Sequence, residues 1–237
     1  MTVSVLGDLV GRDRRSERIA LRIVARDREI SYRDFCTTAW KAGHALSHLG
    51  VHEGSTVALD PDPEPQILGT LFGAALLGAR VTFDANADAR VVMGHVDRER
   101  DLDDGDRKVL VYGGAPAATT TTHWEGVVWS ENPSMPPGER SPGEPVVFDG
   151  GSTWSHRDLL ERASGVVDTA ELNDGRAVAL RASLADPRAV IAGVIAPLLA
   201  GGTVVLPDPD DGAEGVAEVA VGDAGVPEDR RIGLDAV

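Results

Sequence analysis

The sequence predicts an α/β fold of two similar βαβ-type lobes with layered helices and sheets, and three observations carry the prediction. The chain has 237 residues, enough for one large domain or two small lobes. It says nearly the same thing twice: "ISYRDFCTTAWKAGHALSHLGVHEGSTVAL" and "PQILGTLFGAALLGARVTFD" are echoed from Trp154 by "WSHRDLLERASGVVDTAELNDGRAVAL" and "PRAVIAGVIAPLLAGGTVVLPD". In each copy, short apolar strands alternate with helical patterns, the mark of an α/β architecture.

Each copy opens on a helix. Ser31 and Ser155 are N-cap candidates, and each is followed three residues later by an aspartate, Asp34 or Asp158, where a carboxylate meets the positive end of the helix dipole. The runs "STVALD" and "RAVALR" read as strands buried on both faces of a parallel sheet. The helices from Pro65 and Pro187 are apolar almost all round, so both must be covered on every side. "KVLVYG" from Lys108 is a further strand, the Pro- and Gly-rich stretch 131–145 is a linker, and "GVAEVAVGD" after Gly215 is an edge strand. The reading is a first lobe over 1–130, a linker over 131–145 and a second lobe over 146–237, with the lobes related by a pseudo-two-fold axis.

Charge bounds the partners. The balance of 38 acidic against 23 basic residues gives a net charge of -15, and Lys41 and Lys108 are the two lysines. Duplex nucleic acid would be repelled. Such self-repulsion is relieved by salt, whose Debye length falls to about 3 Å at 1 M, so an acid-rich, lysine-poor chain suits a salt-loaded, halophilic cytoplasm. Cys36 is alone and sits in a helical pattern, which makes it a packed thiol in a reducing compartment. The opening residues carry no signal-peptide pattern and no run reaches the length of a membrane span, so a cytoplasmic protein is expected.

With these residues in view, the chain resembles the large domain of the adenylate-forming, AMP-binding superfamily, the acyl-CoA synthetases and their relatives. "SHRDLL" is similar to that family's Thr-His-x-Asn-Leu helix start, and "GVIAPLLAGGTVVLPD" to its Pro-Leu-Leu-x-Gly strand entry. The resemblance covers the first half or so of the family's length, and the family's two similar lobes account for the repeat. It also implies a place for the phosphates of ATP: the strand "PVVF" should enter a Ser/Thr/Gly-rich loop ending in Pro-Lys-Gly. Here Asp149, Gly150, Gly151, Ser152 and Thr153 stand between Phe148 and Trp154, and the lysine segment is absent. With His156 they form the remnant cofactor-binding region. Asp149 places a carboxylate where phosphate oxygens need donors and cations. The family's next histidine aligns with Asp186, and the resemblance puts the later ribose-binding and catalytic motifs beyond residue 237.

ATP or AMP is therefore the cofactor the resemblance would bring and the loop argues against; no catalytic residue and no metal site is assigned. The first reading is a pseudoenzyme acting through a partner or by regulation. The alternatives are a nucleotide or acyl binder without turnover, and half of a ligase completed in trans. A truncated lobe pair with two such apolar helices should expose apolar surface, which predicts a homodimer or a heteromeric protein partner.

Other constellations weigh less. His44, His48 and His52 recur at spacings of four, but Gly50 should end that helix first. "DLDDGDR" mimics a calcium loop, yet the twelfth position from Asp101 is Tyr112 rather than glutamate. Gly69, Gly73 and Gly78 have the wrong spacing for a dinucleotide fingerprint and read as close helix packing. Ser155 beside His156 reads as a helix cap rather than a nucleophile and base. "APAATTTT" has neither the glycines nor the cation of a phosphate cradle.

Overall fold

The computed structural model describes residues 3–102, 105–208, 215–223 and 225–237. The repeat starts earlier than Ser31, at a two-stranded hairpin. β1 (Ile19–Ile23) and β2 (Arg28–Ser31) lead into α1 (Tyr32–His48), β3 (Thr56–Leu59), α2 (Pro65–Leu76), β4 (Arg80–Thr82), β5 (Val91–His95), the short α3 (Glu99–Leu102) and β6 (Lys108–Tyr112). A short β7 (Thr122–His123) and α4 (Trp124–Ser130) follow. The second copy runs through β8 (Pro145–Phe148), β9 (Thr153–Ser155), α5 (His156–Thr169), β10 (Ala177–Leu180), α6 (Pro187–Val190), α7 (Ala196–Ala200), β11 (Thr203–Leu206), β12 (Val219–Val221) and β13 (Arg230–Ile232).

Local chemistry sets the element ends. The Ser31 hydroxyl accepts the Asp34 N–H at 3.1 Å, the cap expected from the sequence. Pro65 and Pro187 start their helices, where a missing N–H costs nothing. Gly78 and Gly201 end them in the left-handed region, at φ 71° and 76°. Gly78 is thus a C-terminal cap residue rather than part of helix packing. The second apolar helix is not continuous: Ile191–Ile195 forms a π-helical turn in which the Ala196 N–H reaches back to Ile191 O. Pro197 has no N–H for the carbonyl of Gly193, and the wider turn absorbs that mismatch.

The chain forms two compact units. One combines residues 1–35 with 156–237, and the other is 36–155. They do not coincide with the 1–130 and 146–237 division suggested by the linear repeat, and strand pairing is the reason. The sheet of the first unit has the order β13-β12-β10-β11-β1-β2, and that of the second β7-β6-β5-β3-β4-β8-β9. The hairpin that opens the first copy adds to the sheet of the second copy, with β1 parallel to β11. The hairpin that opens the second copy adds to the sheet of the first, with β8 parallel to β4. Apart from β7, which extends the second unit's sheet beyond β6, the two sheets share one strand order and one pattern of pairing. The residues of the 131–145 linker carry no helix or strand until Pro145, and they lie within the second unit, where Ser134 O meets His44 Nε2 at 3.0 Å. The expected edge strand after Gly215 is an interior one: β12 pairs with both β10 and β13, all three of its residues are buried, and β13 forms the edge.

Both apolar helices are covered within the chain. Ile67 to Leu76 are buried, as are Ile191 to Leu198. In the second unit α1 lies against α2 at glycines: a Cβ on Gly73 would stand 2.7 Å from Gly43 N and 2.9 Å from Ala39 O, and one on Gly69 would stand 3.1 Å from Thr38. The apolar surface expected at these helices is therefore absent. Among the described residues, Trp129 on α4 is the large hydrophobic side chain left exposed, at 72%. Cys36 is buried in α1, a packed thiol as read from the sequence.

Candidate functional site

β8 and β9 pair antiparallel, with Phe148 opposite Thr153, so residues 149–152 form a tight hairpin loop. Asp149 N donates to Ser152 O at 3.2 Å and closes the turn. Gly150 takes φ 82°, a conformation that glycine adopts without a steric penalty. The Asp149 carboxylate then turns inward, and its Oδ1 accepts the Gly151 N–H at 3.1 Å and the Ser152 N–H at 2.6 Å. These bonds, Ser152 foremost and against the opposing effect of burial, hold the Asp149 carboxyl below the usual aspartate range. The loop therefore carries a fixed negative charge, and two of its backbone donors are spent on it.

The structure brings Asp149, Gly150, Gly151, Ser152 and Thr153 together on this one exposed hairpin. His156 stands at the start of α5. That imidazole is 1% exposed, belongs to the other compact unit, and its Nδ1 accepts the Leu6 N–H at 3.0 Å. Leu6 itself is fully buried, so His156 ties the N-terminal segment to the core of its unit. Asp186 is a helix cap: its Oδ1 accepts the Arg188 N–H at 2.9 Å, and the carboxylate is clasped by the Arg188 guanidinium. Arg188 holds the Asp186 carboxyl below the ordinary range.

The loop at "APAATTTT" repeats the same economy. Glu99 accepts the N–H groups of Ala117 at 2.8 Å and Ala118 at 2.9 Å, and these bonds depress its carboxyl. A second row of loop donors is thus occupied by a protein carboxylate. The three histidines of the spacing-of-four pattern go their separate ways: His44 to Ser134 O, His48 to Glu131 at 2.8 Å and His52 to Glu53 O at 2.9 Å. Among the described residues no group of His, Cys, Asp and Glu side chains could hold a metal ion. Asp103 and Asp104 of the calcium-loop mimic lie outside the described residues.

Sequence reasoning missed two ion pairs at equivalent places in the repeat. The residue that follows the central strand of each sheet is charged: Asp60 after β3, Arg181 after β10. Asp60 takes Arg98 at 2.9 Å, with its own side chain 2% exposed. Arg181 grips Glu228 at 2.8 to 3.0 Å, with the Glu228 side chain fully buried. Carboxylate and guanidinium have exchanged places between the copies. The signal was present in "STVALD" and "RAVALR", where a charge ends an otherwise apolar strand.

With this geometry in hand, solved structures give the fold its place. The anthranilate CoA ligase AuaEII, in complex with anthranoyl-AMP, superposes with a TM-score of 0.77 at 17% identity, covering 92% of this chain and 49% of that one. The chain has the fold of the N-terminal part of the acyl- and aryl-CoA ligases. The N-terminal domain of FACL13 from Mycobacterium tuberculosis matches with a TM-score of 0.77 at 17% identity over 93% of this chain and 63% of that one. ATP-bound MatB from Rhodopseudomonas palustris gives 0.76 at 15% over 94% and 49%. The chain thus spans between about half and two thirds of these structures. No protein-family profile matches it, and no curated protein does. Among the described residues no helix is long and apolar enough to cross a membrane.

Proposed function

We propose that this protein is a pseudoenzyme on the acyl-CoA ligase fold, acting in the cytoplasm through a protein partner or by regulation and forming no acyl-adenylate. The observation that carries the reading is the β8–β9 hairpin. At the position where the resemblance places the phosphate loop, the Gly151 and Ser152 N–H groups are taken by Asp149. Adenylate formation requires preorganised donors and cations against the charge on the transferring phosphates. A carboxylate held ionised in that loop supplies the opposite field, and the segment 149–153 contributes no lysine or arginine to offset it.

The test is carboxylate-dependent exchange of labelled pyrophosphate into ATP, run at high potassium chloride with acetate, octanoate and anthranilate, beside titration calorimetry with ATP. We expect exchange at the level of the protein-free control and no saturable heat from ATP. Exchange above that control with any of the acids overturns the proposal. Saturable ATP binding without exchange overturns the hairpin argument and selects the nucleotide-binder reading.

A further inference from the structure

The compact unit formed by residues 1–35 and 156–237 contains a cavity of about 380 Å3 at the amino ends of two strands, where Arg18 precedes β1 and Gly201 precedes β11. Open α/β sheets carry their ligands outside the carboxyl ends of the strands, so this cavity is not one that the fold itself supplies. The segment leading into β1 forms one wall. The backbone is extended at Arg15; beyond it Ser16 O accepts the Arg33 N–H at 3.0 Å and Arg18 O the Tyr32 N–H at 2.8 Å. Those bonds satisfy the first amides of α1 and fix the segment against it. Alternate residues of an extended segment share a side, and Arg14, Ser16 and Arg18 all line the cavity.

Of the two guanidinium groups and two carboxylates in the lining, one opposite pair is closed and the other is open. Arg18 holds Asp174, with Nη1 donating to Oδ2 at 2.7 Å and Nη2 to Oδ1. Arg14 donates to Leu198 O and lies over the buried Tyr32 ring, its Cζ 5.9 Å from the centroid. Among the described residues no carboxylate pairs with Arg14. Asp13 is exposed, and among the described residues its carboxylate accepts no hydrogen bond and makes no ion pair. These two are consecutive in the helical turn Arg12–Arg14, so their side chains do not face each other and cannot close on themselves. The Ser16 hydroxyl is likewise without a partner among the described residues.

We propose that this cavity binds an aliphatic α-amino acid of about leucine's size as the zwitterion, its carboxylate on Arg14 and the Ser16 hydroxyl and its ammonium on Asp13. A plain anion would meet two carboxylates in the lining, and a plain cation two guanidinium groups. A molecule that carries both charges within a few bonds answers the open pair. The volume falls within the range of small-molecule sites, and a guanidinium fork takes a carboxylate through parallel N–H donors. Ala200 and the Tyr32 ring offer the apolar wall for the side chain. The β8–β9 hairpin belongs to the other compact unit, so the site does not depend on the pseudoenzyme reading.

Titration calorimetry tests it with leucine, with 4-methylpentanoate, which is leucine without its ammonium, and with 3-methylbutylamine, which is leucine without its carboxylate. The wild-type chain should bind leucine saturably and each half at least about tenfold more weakly. Arg14→Gln and Asp13→Ala should each weaken leucine binding by about tenfold or more. Circular dichroism establishes that each variant is folded, and Asp13 is exposed enough for its variant to serve if Arg14→Gln, which loses the bond to Leu198 O, fails to fold. Absence of saturable leucine binding, binding of either half as tight as leucine, or undiminished binding by Asp13→Ala or a folded Arg14→Gln overturns the proposal.

Discussion

Glu228→Gln is the substitution whose cost the structure fixes most closely. The Glu228 side chain is fully buried, Arg181 is 11% exposed, and three nitrogen–oxygen contacts of 2.8 to 3.0 Å join them, with the Val216 N–H adding a fourth at 3.2 Å. Burial alone would raise the Glu228 carboxyl; Arg181 and the Val216 N–H outweigh it and hold the group below the glutamate range. Removing one partner of a buried ion pair costs about 3–5 kcal/mol, and because glutamine keeps one acceptor oxygen we place the loss near 3 kcal/mol. At roughly 2–4 °C per kcal/mol for a chain of this size, the melting temperature should fall by about 6–12 °C. Scanning calorimetry measures this, with the double variant Arg181→Met/Glu228→Leu beside it. The double variant leaves no uncompensated charge and should recover at least half of the loss. A depressed carboxyl stabilises the fold above its unfolded value and loses that contribution as pH falls through the folded one, so the gap between wild type and Glu228→Gln should close below about pH 4. A loss under about 1 kcal/mol, the worth of an exposed pair, would refute the assignment of a buried one.

Two further predictions are independent of that pair. Gly73→Ala should destabilise by about 1–3 kcal/mol, because its Cβ meets the backbone of Gly43 and Ala39, whereas Gly165→Ala, inside α5 with nothing within 4 Å of the added Cβ, should stabilise by about 0.5–1 kcal/mol; urea titrations that rank the two the other way refute the packing argument. The melting temperature should rise between low and molar potassium chloride, since salt screens the net charge of -15; an unchanged melt would remove the halophilic reading.

Much of the fold was legible because the apolar runs leave little choice. β3, β6, β10 and both apolar helices sit where their buried residues demand, and Ser31 caps α1 as its spacing with Asp34 requires. The hairpin β1–β2 was not legible: "IALRI" and "REIS" are short, and β2 presents two exposed residues followed by two half-buried ones, which gives no period-2 signal. Nor could the sequence show which sheet a hairpin joins, since "PVVF" is apolar enough for the interior edge of either. For the candidate site, the sequence located the loop and identified Asp149 as the discordant residue. It could not show that the carboxylate folds back onto its own loop, because that depends on the Gly150 conformation and on the closure of Asp149 N on Ser152 O. Nor could it show where His156 turns: an imidazole at a helix start faces outward or inward according to the packing around it, and here its Nδ1 accepts the Leu6 N–H.

The exchange of hairpins explains how the content of the loop at 149–152 is decoupled from the fold. β8 is bound in parallel to β4 on one side and antiparallel to β9 on the other, so the hairpin covers what would otherwise be a bare strand edge. β1 and β2 do the same for β11 in the other unit. Neither sheet is complete within one copy of the repeat, and the ladders of β1 with β11 and of β8 with β4 complete them. The loop that joins β8 to β9 carries none of that pairing: a turn closed by Asp149, Gly150, Gly151 and Ser152 satisfies the hairpin as well as a longer loop with a lysine would. The strands constrain the flanks and leave the content of the loop unconstrained. Phosphate-binding character can therefore be absent at 149–153 while every hydrogen-bonded strand around it keeps the place the fold requires.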